Sequence, residues 1–215
     1  MAKQRKKEEW TDHLEYLAIS RDRSKVFDDF LTIIVCALSM QQKEELYLQT
    51  IKRYKKEEVE TFAKAFAGLV DWMEEHPLQD AFGDYFQEYV SKGHNGQFFT
   101  PTHISDMMAQ MVTPSDLEGP MNDPCCGSGR FFLSAAKVNR AVTCVGGDIS
   151  EMCCKMTLIN LCLNDITGKI YHMDTLAMEV WRVWEIARYP IVRVPFIREL
   201  QVPEPKSNQA LTLFG

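Results

Sequence analysis

The chain has 215 residues, 46% hydrophobic and 25% charged, with a formal net charge of -6. That is an ordinary globular composition with one sizeable core and room for a smaller neighbour, and its acidic balance speaks against a dedicated nucleic-acid binder, which is usually basic. The longest apolar run, Phe30 to Met40, is too short to span a bilayer, and Met1 to Trp10 is charged without the apolar centre of a secretion signal.

The N-terminal half reads as helical throughout. A weak helical pattern runs from Trp10 to Ile19. Ser24 would cap a helix to about Met40, with Val26, Phe27, Phe30, Leu31, Ile34, Val35 and Leu38 at helical spacing. Further helices are expected over Lys43 to Tyr54, over Glu57 to Glu75 (stopped by Pro77), and over Gln79 to Val90. Their aromatic stripes read as core, ahead of a base-stacking platform. Lys3, Arg5, Lys6 and Lys7, and again Lys52, Arg53, Lys55 and Lys56, form basic patches that read as solvated faces. The cysteines include Cys125-Cys126 and Cys153-Cys154 but no C-x-x-C pair. They are expected to be reduced, mostly buried small hydrophobes of a cytosolic protein, with no metal site.

Lys92-Gly93-His94-Asn95-Gly96 is a turn-rich hinge. Gly96-Gln97-Phe98-Phe99-Thr100-Pro101 comes next, where Thr100 would cap a helix that begins at Pro101. A helix over His103 to Val112 would bury Ile104, Met107, Met108 and Met111. Gly119-Pro120 opens a short central strand that ends at Asp123. The stretch Asn122-Asp123-Pro124-Cys125-Cys126-Gly127-Ser128-Gly129-Arg130 then reads as strand, glycine turn and helix start, the usual cofactor platform of an open α/β sheet. Three readings compete for the turn. A phosphate loop would need Gly-Lys-Ser/Thr after its glycines, and Arg130 and Phe131 stand there instead. A dinucleotide fingerprint needs three glycines as G-x-G-x-x-G, and only Gly127 and Gly129 stand at that spacing. The third reading is an S-adenosylmethionine turn.

Asp123-Pro124-Cys125-Cys126-Gly127-Ser128-Gly129 resembles the D-P-A-C-G-S-G turn of adenine-specific DNA methyltransferases, in particular the modification subunit of type I restriction systems. Gly96 to Pro101 resembles the G-x-[FY]-[FY]-T-P segment of the same family. The resemblance implies that Gln97, Phe98, Phe99, Thr100 and Pro101 lie against the methionine end of the cofactor. Phe98 and Phe99 would cover an apolar face, and Thr100 would offer a hydroxyl to the carboxylate. With Asp123, Pro124, Cys125, Gly127, Ser128 and Gly129 they would build the cofactor site.

Downstream, a helix over Gly129 to Asn139 leads to a β-rich run, Ala141 to Asp148. Asp148 stands near the spacing at which dinucleotide sites place a ribose-binding acid. It would accept the ribose hydroxyls, with Ile149 packed on the adenine; the local alternative is a cap for the helix ending at Leu163. A third strand ends in Asp174-Thr175-Leu176, which is similar to the family's G-D/N-T-L. Asp174 would accept the adenine amine, or else cap the next helix. The family's chemistry also uses [N/D/S]-P-P-[Y/F/W] at the end of the next strand. With a fourth strand at Pro190 to Val194, Arg193-Val194-Pro195-Phe196 occupies that register. Phe196 would stack on a base, but Arg193 has donors and no acceptor.

The expected architecture is α/β: an all-helical domain (residues 1–93), a truncated, mostly parallel Rossmann-like methyltransferase sheet (94–200) and a flexible tail (201–215). The expected function is S-adenosylmethionine binding in a restriction-modification-type DNA methyltransferase, catalytically impaired on its own. DNA and a specificity or other partner subunit are the implied partners, in the cytoplasm, away from membranes, and in a homo- or hetero-oligomer. Two alternatives stay open: a non-catalytic binding or regulatory module serving a partner, and a methyltransferase acting on a non-DNA substrate.

Overall fold

The structure, a computed structural model, describes residues 9–91, 98–113 and 119–202. The first basic patch, the hinge at 92–96, Gln97 and the tail beyond Val202 lie outside the described residues.

Four helices open the chain: α1 (Trp10–Ala18), α2 (Arg23–Leu38), α3 (Glu44–Ile51) and α4 (Lys56–Glu75). The cap of α2 is Asp22, not Ser24: its side chain accepts the Lys25 amide at 2.8 Å. At the start of α4, Glu58 reaches back to the Lys55 amide at 2.7 Å and holds Arg21 at 2.9 Å. The aromatic stripes are core, as expected. Trp10 stacks on Phe30 at 5.9 Å, Phe30 on Phe62 at 6.2 Å, and Phe82 meets both Trp10 and Phe27 edge-on. The helix expected over Gln79 to Val90 is instead a short α5 (Gly83–Tyr85) running into a π-helical turn, Phe86–Ser91. The Asp80 carboxylate explains the late start. It accepts the Phe82 and Gly83 amides, both at 3.1 Å, and so holds a turn where a helix would otherwise begin.

The five-stranded sheet runs β1 (Met121–Asp123), β2 (Cys144–Asp148), β3 (Gly168–Asp174), β4 (Glu179–Arg188) and β5 (Pro195–Leu200), in that spatial order. β1, β2 and β3 are parallel; β4 and β5 are antiparallel to their neighbours. The sheet is therefore evenly mixed, not mostly parallel, and β1 stands at its edge among the described strands, not at its centre. Chain length explains the change of direction. A parallel return needs a crossover of a dozen or more residues, and only residues 175–178 separate β3 from β4. Residues 190–194, expected as a strand, form the turn of the β4–β5 hairpin. There the Tyr189 amide donates to Val194 O and the Arg193 amide to Tyr189 O, at 2.9 and 2.8 Å.

The helices α6 (Thr102–Val112), α7 (Arg130–Val138) and α8 (Glu151–Leu163) complete the described elements. α8 is buried on almost every side, from Cys153 through Cys162, because α2 packs on it from one direction and the sheet from the other. α6 corrects the sequence reading. Its buried residues are Ser105 and Ala109, whereas Met107, Met108 and Met111 face outwards. Small side chains let α6 approach α7, and Asp106 then accepts Ser134 Oγ at 2.6 Å and Lys137 Nζ at 2.8 Å. Six of the cysteines are buried, Cys125 is exposed, and all are free thiols. No helix among the described residues is long and apolar enough to cross a membrane.

Two substitutions test this packing. Phe132→Ala, in a fully buried side chain of α7, should cost about 3–5 kcal/mol in chemical denaturation. Met111→Ser, at a residue 77% exposed, should stay within about 0.5 kcal/mol of the parent. A core-sized loss at Met111 would contradict the orientation of α6.

Candidate cofactor site at the strand ends

The carboxyl ends of β1, β2 and β3 carry Asp123, Asp148 and Asp174. Parallel pairing and the adjacency of the strands gather all three at one end of the sheet. The glycine turn fills the space between the first two. Gly127 and Gly129 both have positive φ, 56° and 83°, as read from the sequence. The turn is held by the protein itself: the Cys126 amide donates to Gly147 O at 2.9 Å, Gly129 to Cys126 O at 2.8 Å, and Cys125 to Asp123 at 3.0 Å. Space is as tight as the dihedral angles. A Cβ on Gly127 would stand 3.0 Å from the Phe99 ring, and one on Gly129 3.1 Å from the Thr157 methyl.

Asp148 is the electrostatic centre of the turn. One carboxylate oxygen accepts the Gly127 amide at 2.9 Å and the other the Ser150 amide at 2.8 Å. The Gly127 amide is thus committed to Asp148 and does not face a ligand. Each ionised oxygen keeps further lone-pair capacity for a diol. Ser150, not Asp148, is the side-chain cap of α8. Ile149 is exposed at the rim, and His172 bonds its carbonyl at 3.2 Å. Asp174 accepts the Leu176 and Ala177 amides, both at 2.9 Å, so it caps a turn, and the next element is β4 rather than a helix. Thr175 donates its hydroxyl to Pro124 O at 2.8 Å and draws this loop against the glycine turn, while Leu176 projects outwards.

The segment before α6 closes another side. Phe99 stacks on Phe86 at 5.4 Å, Phe98 is exposed, and Thr100 is exposed without capping α6, whose cap position is Pro101. Arg130, overlooked as a site residue in the sequence, holds this segment. Its guanidinium donates to Thr100 O at 3.0 Å, to Asp80 at 2.9 Å and to Asp84 at 2.7 Å. Asp80 also accepts Ser128 Oγ at 2.5 Å and Asn160 Nδ2 at 2.9 Å. Burial works against the charge of Arg130, but Asp80 and Asp84 outweigh it and raise its pKa. A cation placed between a glycine turn and the aromatic pair Phe131-Phe132 was the available signal, since a charge that becomes buried demands a partner. Nothing in the sequence pointed to Asp80, fifty positions earlier.

Arg193, Val194, Pro195 and Phe196 are not part of this cluster. β4 runs antiparallel to β3, so Arg188 and the turn after it lie beside the start of β3, where Arg188 pairs with Asp165 at 2.8 Å. That is the far end of the sheet from Asp123, Asp148 and Asp174. A further cleft lies elsewhere, among α2, α3, α8 and β4. Its cations, Lys25, Lys43, Arg53, Lys155 and Arg182, all pair with carboxylates of the protein, and it presents no group reserved for a ligand.

The chemistry of the strand ends suits a cation. Burial pushes the pKa of Asp123 up, and the charge of Asp148 adds to it. Asp148 is raised by its own burial, against the pull of the Ser150 and Gly127 amides. A positively charged ligand would relieve both groups; a phosphate would not. A carboxylate whose pKa is raised in the folded state costs stability at neutral pH, because the unfolded chain ionises more readily, and the cost fades as pH falls towards the unfolded value. Asp123→Asn keeps the acceptor for the Cys125 amide. It should therefore raise the melting temperature of the ligand-free protein at pH 7, with the gain shrinking as pH falls through the raised pKa of Asp123 and gone below about 4, the unfolded value.

Residues 74–201, more than half of the chain, match the family described as N-6 DNA Methylase. Among curated proteins, the type I restriction enzyme MjaIX methylase subunit of Methanocaldococcus jannaschii is 28% identical over 49% of this chain and 22% of its own length. The type I restriction enzyme MpnII methylase subunit of Mycoplasma pneumoniae is 29% identical over 47% of this chain and 22% of its own. The matches thus span about a fifth of the length of these relatives. No solved structure matches. With the glycine turn and its strand-end carboxylates inside the matched residues, this chain belongs to the N-6 DNA methylase family.

Proposed function

We propose that the chain binds S-adenosylmethionine at the ends of β1, β2 and β3 and serves adenine N6 methylation of DNA in a restriction-modification system. The observation that carries this reading is the gathering of Asp123, Asp148 and Asp174 around a preformed glycine turn. The cofactor would supply an electrophilic methyl group on a positively charged sulfur. Asp148 would accept the ribose hydroxyls through its remaining lone pairs, and Ile149 would lie on the adenine. Asp174 would meet the adenine amine. Asp123 and Asp148 together would favour the positive charge. From Asp148 the turn leads to Phe99, which packs on Gly127, so the opposite end of the ligand would reach Phe98 and Thr100. Pro124, Cys125 and Ser128 would shape the floor, and Pro101, Thr175 and Leu176 the rim.

Methyl transfer to an adenine further requires acceptors for the protons of its amine and a surface for the extruded base. Arg193 to Phe196, the expected counterpart, sits across the sheet from the cofactor site. In this proposal the described residues bind and orient the cofactor, and the base-binding groups come from other parts of the enzyme or a partner subunit. The unpaired outer edge of β1 among the described strands favours such a partner, since open edges invite pairing. The chain alone would then be impaired in catalysis.

Calorimetric titration with S-adenosylmethionine is the direct test. Micromolar binding is expected for the parent, with a loss of about tenfold or more in Asp148→Ala, the scale of a hydrogen bond to a charged group. Affinity should fall as pH drops towards the raised pKa values of Asp123 and Asp148, because their protonation removes the charge that favours the ligand. Absence of binding would refute the reading. Incubation with labelled cofactor and unmodified DNA should give no transfer by the chain alone; transfer to a protein or small molecule would point to a different acceptor.

A further inference from the structure

We propose that Arg130 is a positioning residue that sets the Phe98–Thr100 segment over the glycine turn, and so tunes affinity for the amino-acid end of the cofactor separately from its adenosine end. The inference rests on the cofactor reading proposed for the strand ends. The Arg130 side chain is 8% exposed and that of Asp80 2%. Their cluster joins four separate stretches of chain: residues 80–84, the Thr100 carbonyl, the turn at Ser128 and Arg130, and Asn160 of α8. The Thr100 carbonyl is tied down by the guanidinium, while Phe99 is held by packing, against Phe86, Gly83 and Gly127, and by a 3.4 Å bond from its amide to Gln87. None of these contacts touches Asp148, Ile149 or Asp174. Losing one guanidinium arm would therefore release the segment on one side of the site and leave the adenosine side in place.

The test compares two ligands by calorimetry: S-adenosylhomocysteine, which has both ends, and 5′-methylthioadenosine, which lacks the amino acid. Arg130→Lys keeps a charge for Asp80 but lacks the planar fork that reaches Thr100 O as well. It should weaken S-adenosylhomocysteine about tenfold and leave 5′-methylthioadenosine unchanged, whereas Asp148→Ala should weaken both. Asp84→Ala removes an anchor of the same guanidinium at a side chain 86% exposed, where folding is safe. It should give a smaller loss in the same selective pattern. Amide exchange over Thr102–Ser105 should quicken in both variants. Equal losses for the two ligands, or no loss in Asp84→Ala with Arg130→Lys unfolded or unchanged, would overturn the positioning role while leaving the cofactor site standing. A parent protein that binds neither ligand would overturn both.

Discussion

The buried pair of Arg130 and Asp80 is the constraint on which the site depends. An ion pair removed from water stabilises a fold only when its remaining donors and acceptors are also satisfied. Here they are. Asp80 takes two backbone amides, an Asn160 amide, the Ser128 hydroxyl and the guanidinium; Arg130 spends its other arms on Thr100 O and Asp84. The helical residues ahead of the sheet thereby become part of the glycine turn. Removing the charge of either partner would leave the other uncompensated in the buried cluster, a costly outcome for the fold.

Around that pair the turn is built to be rigid before any ligand arrives. Its amides are bonded to the protein, its glycines are pressed by Phe99 and Thr157, and Asp148 is fixed through both oxygens. Such preorganisation lowers the ordering cost of binding. The strand-end carboxylates work in the opposite direction, holding charge where burial disfavours it. Local rules are broken most often where function is served, and these carboxylates are the clearest instance among the described residues.

The sheet divides into two halves. Its parallel half, β1 to β3, presents the proposed cofactor residues at one end. Its antiparallel half, β4 and β5, turns back and sends Arg193 to Phe196 to the other end. In the proposed function, the described residues therefore hold the cofactor, and base recognition falls to groups outside them; the matched region is about a fifth of the length of its relatives.

The sequence by itself determined the features set by short-range rules. Gly127 and Gly129 at positive φ, Asp148 at the end of β2, the α/β alternation and the aromatic core all follow from local spacing and periodicity, which persist in any context. Only the tertiary structure decided the rest. The methionines of α6 have helical periodicity, yet the short side chains of Ser105 and Ala109 and the bonds from α7 to Asp106 chose the other face. The four residues between β3 and β4 left no room for a crossover, and that reversed the second half of the sheet and moved Arg193 away from the site. Asp80 became a site residue only when folding brought it to Arg130, because a buried charge selects its partner by proximity in space and leaves no mark of the pairing along the chain.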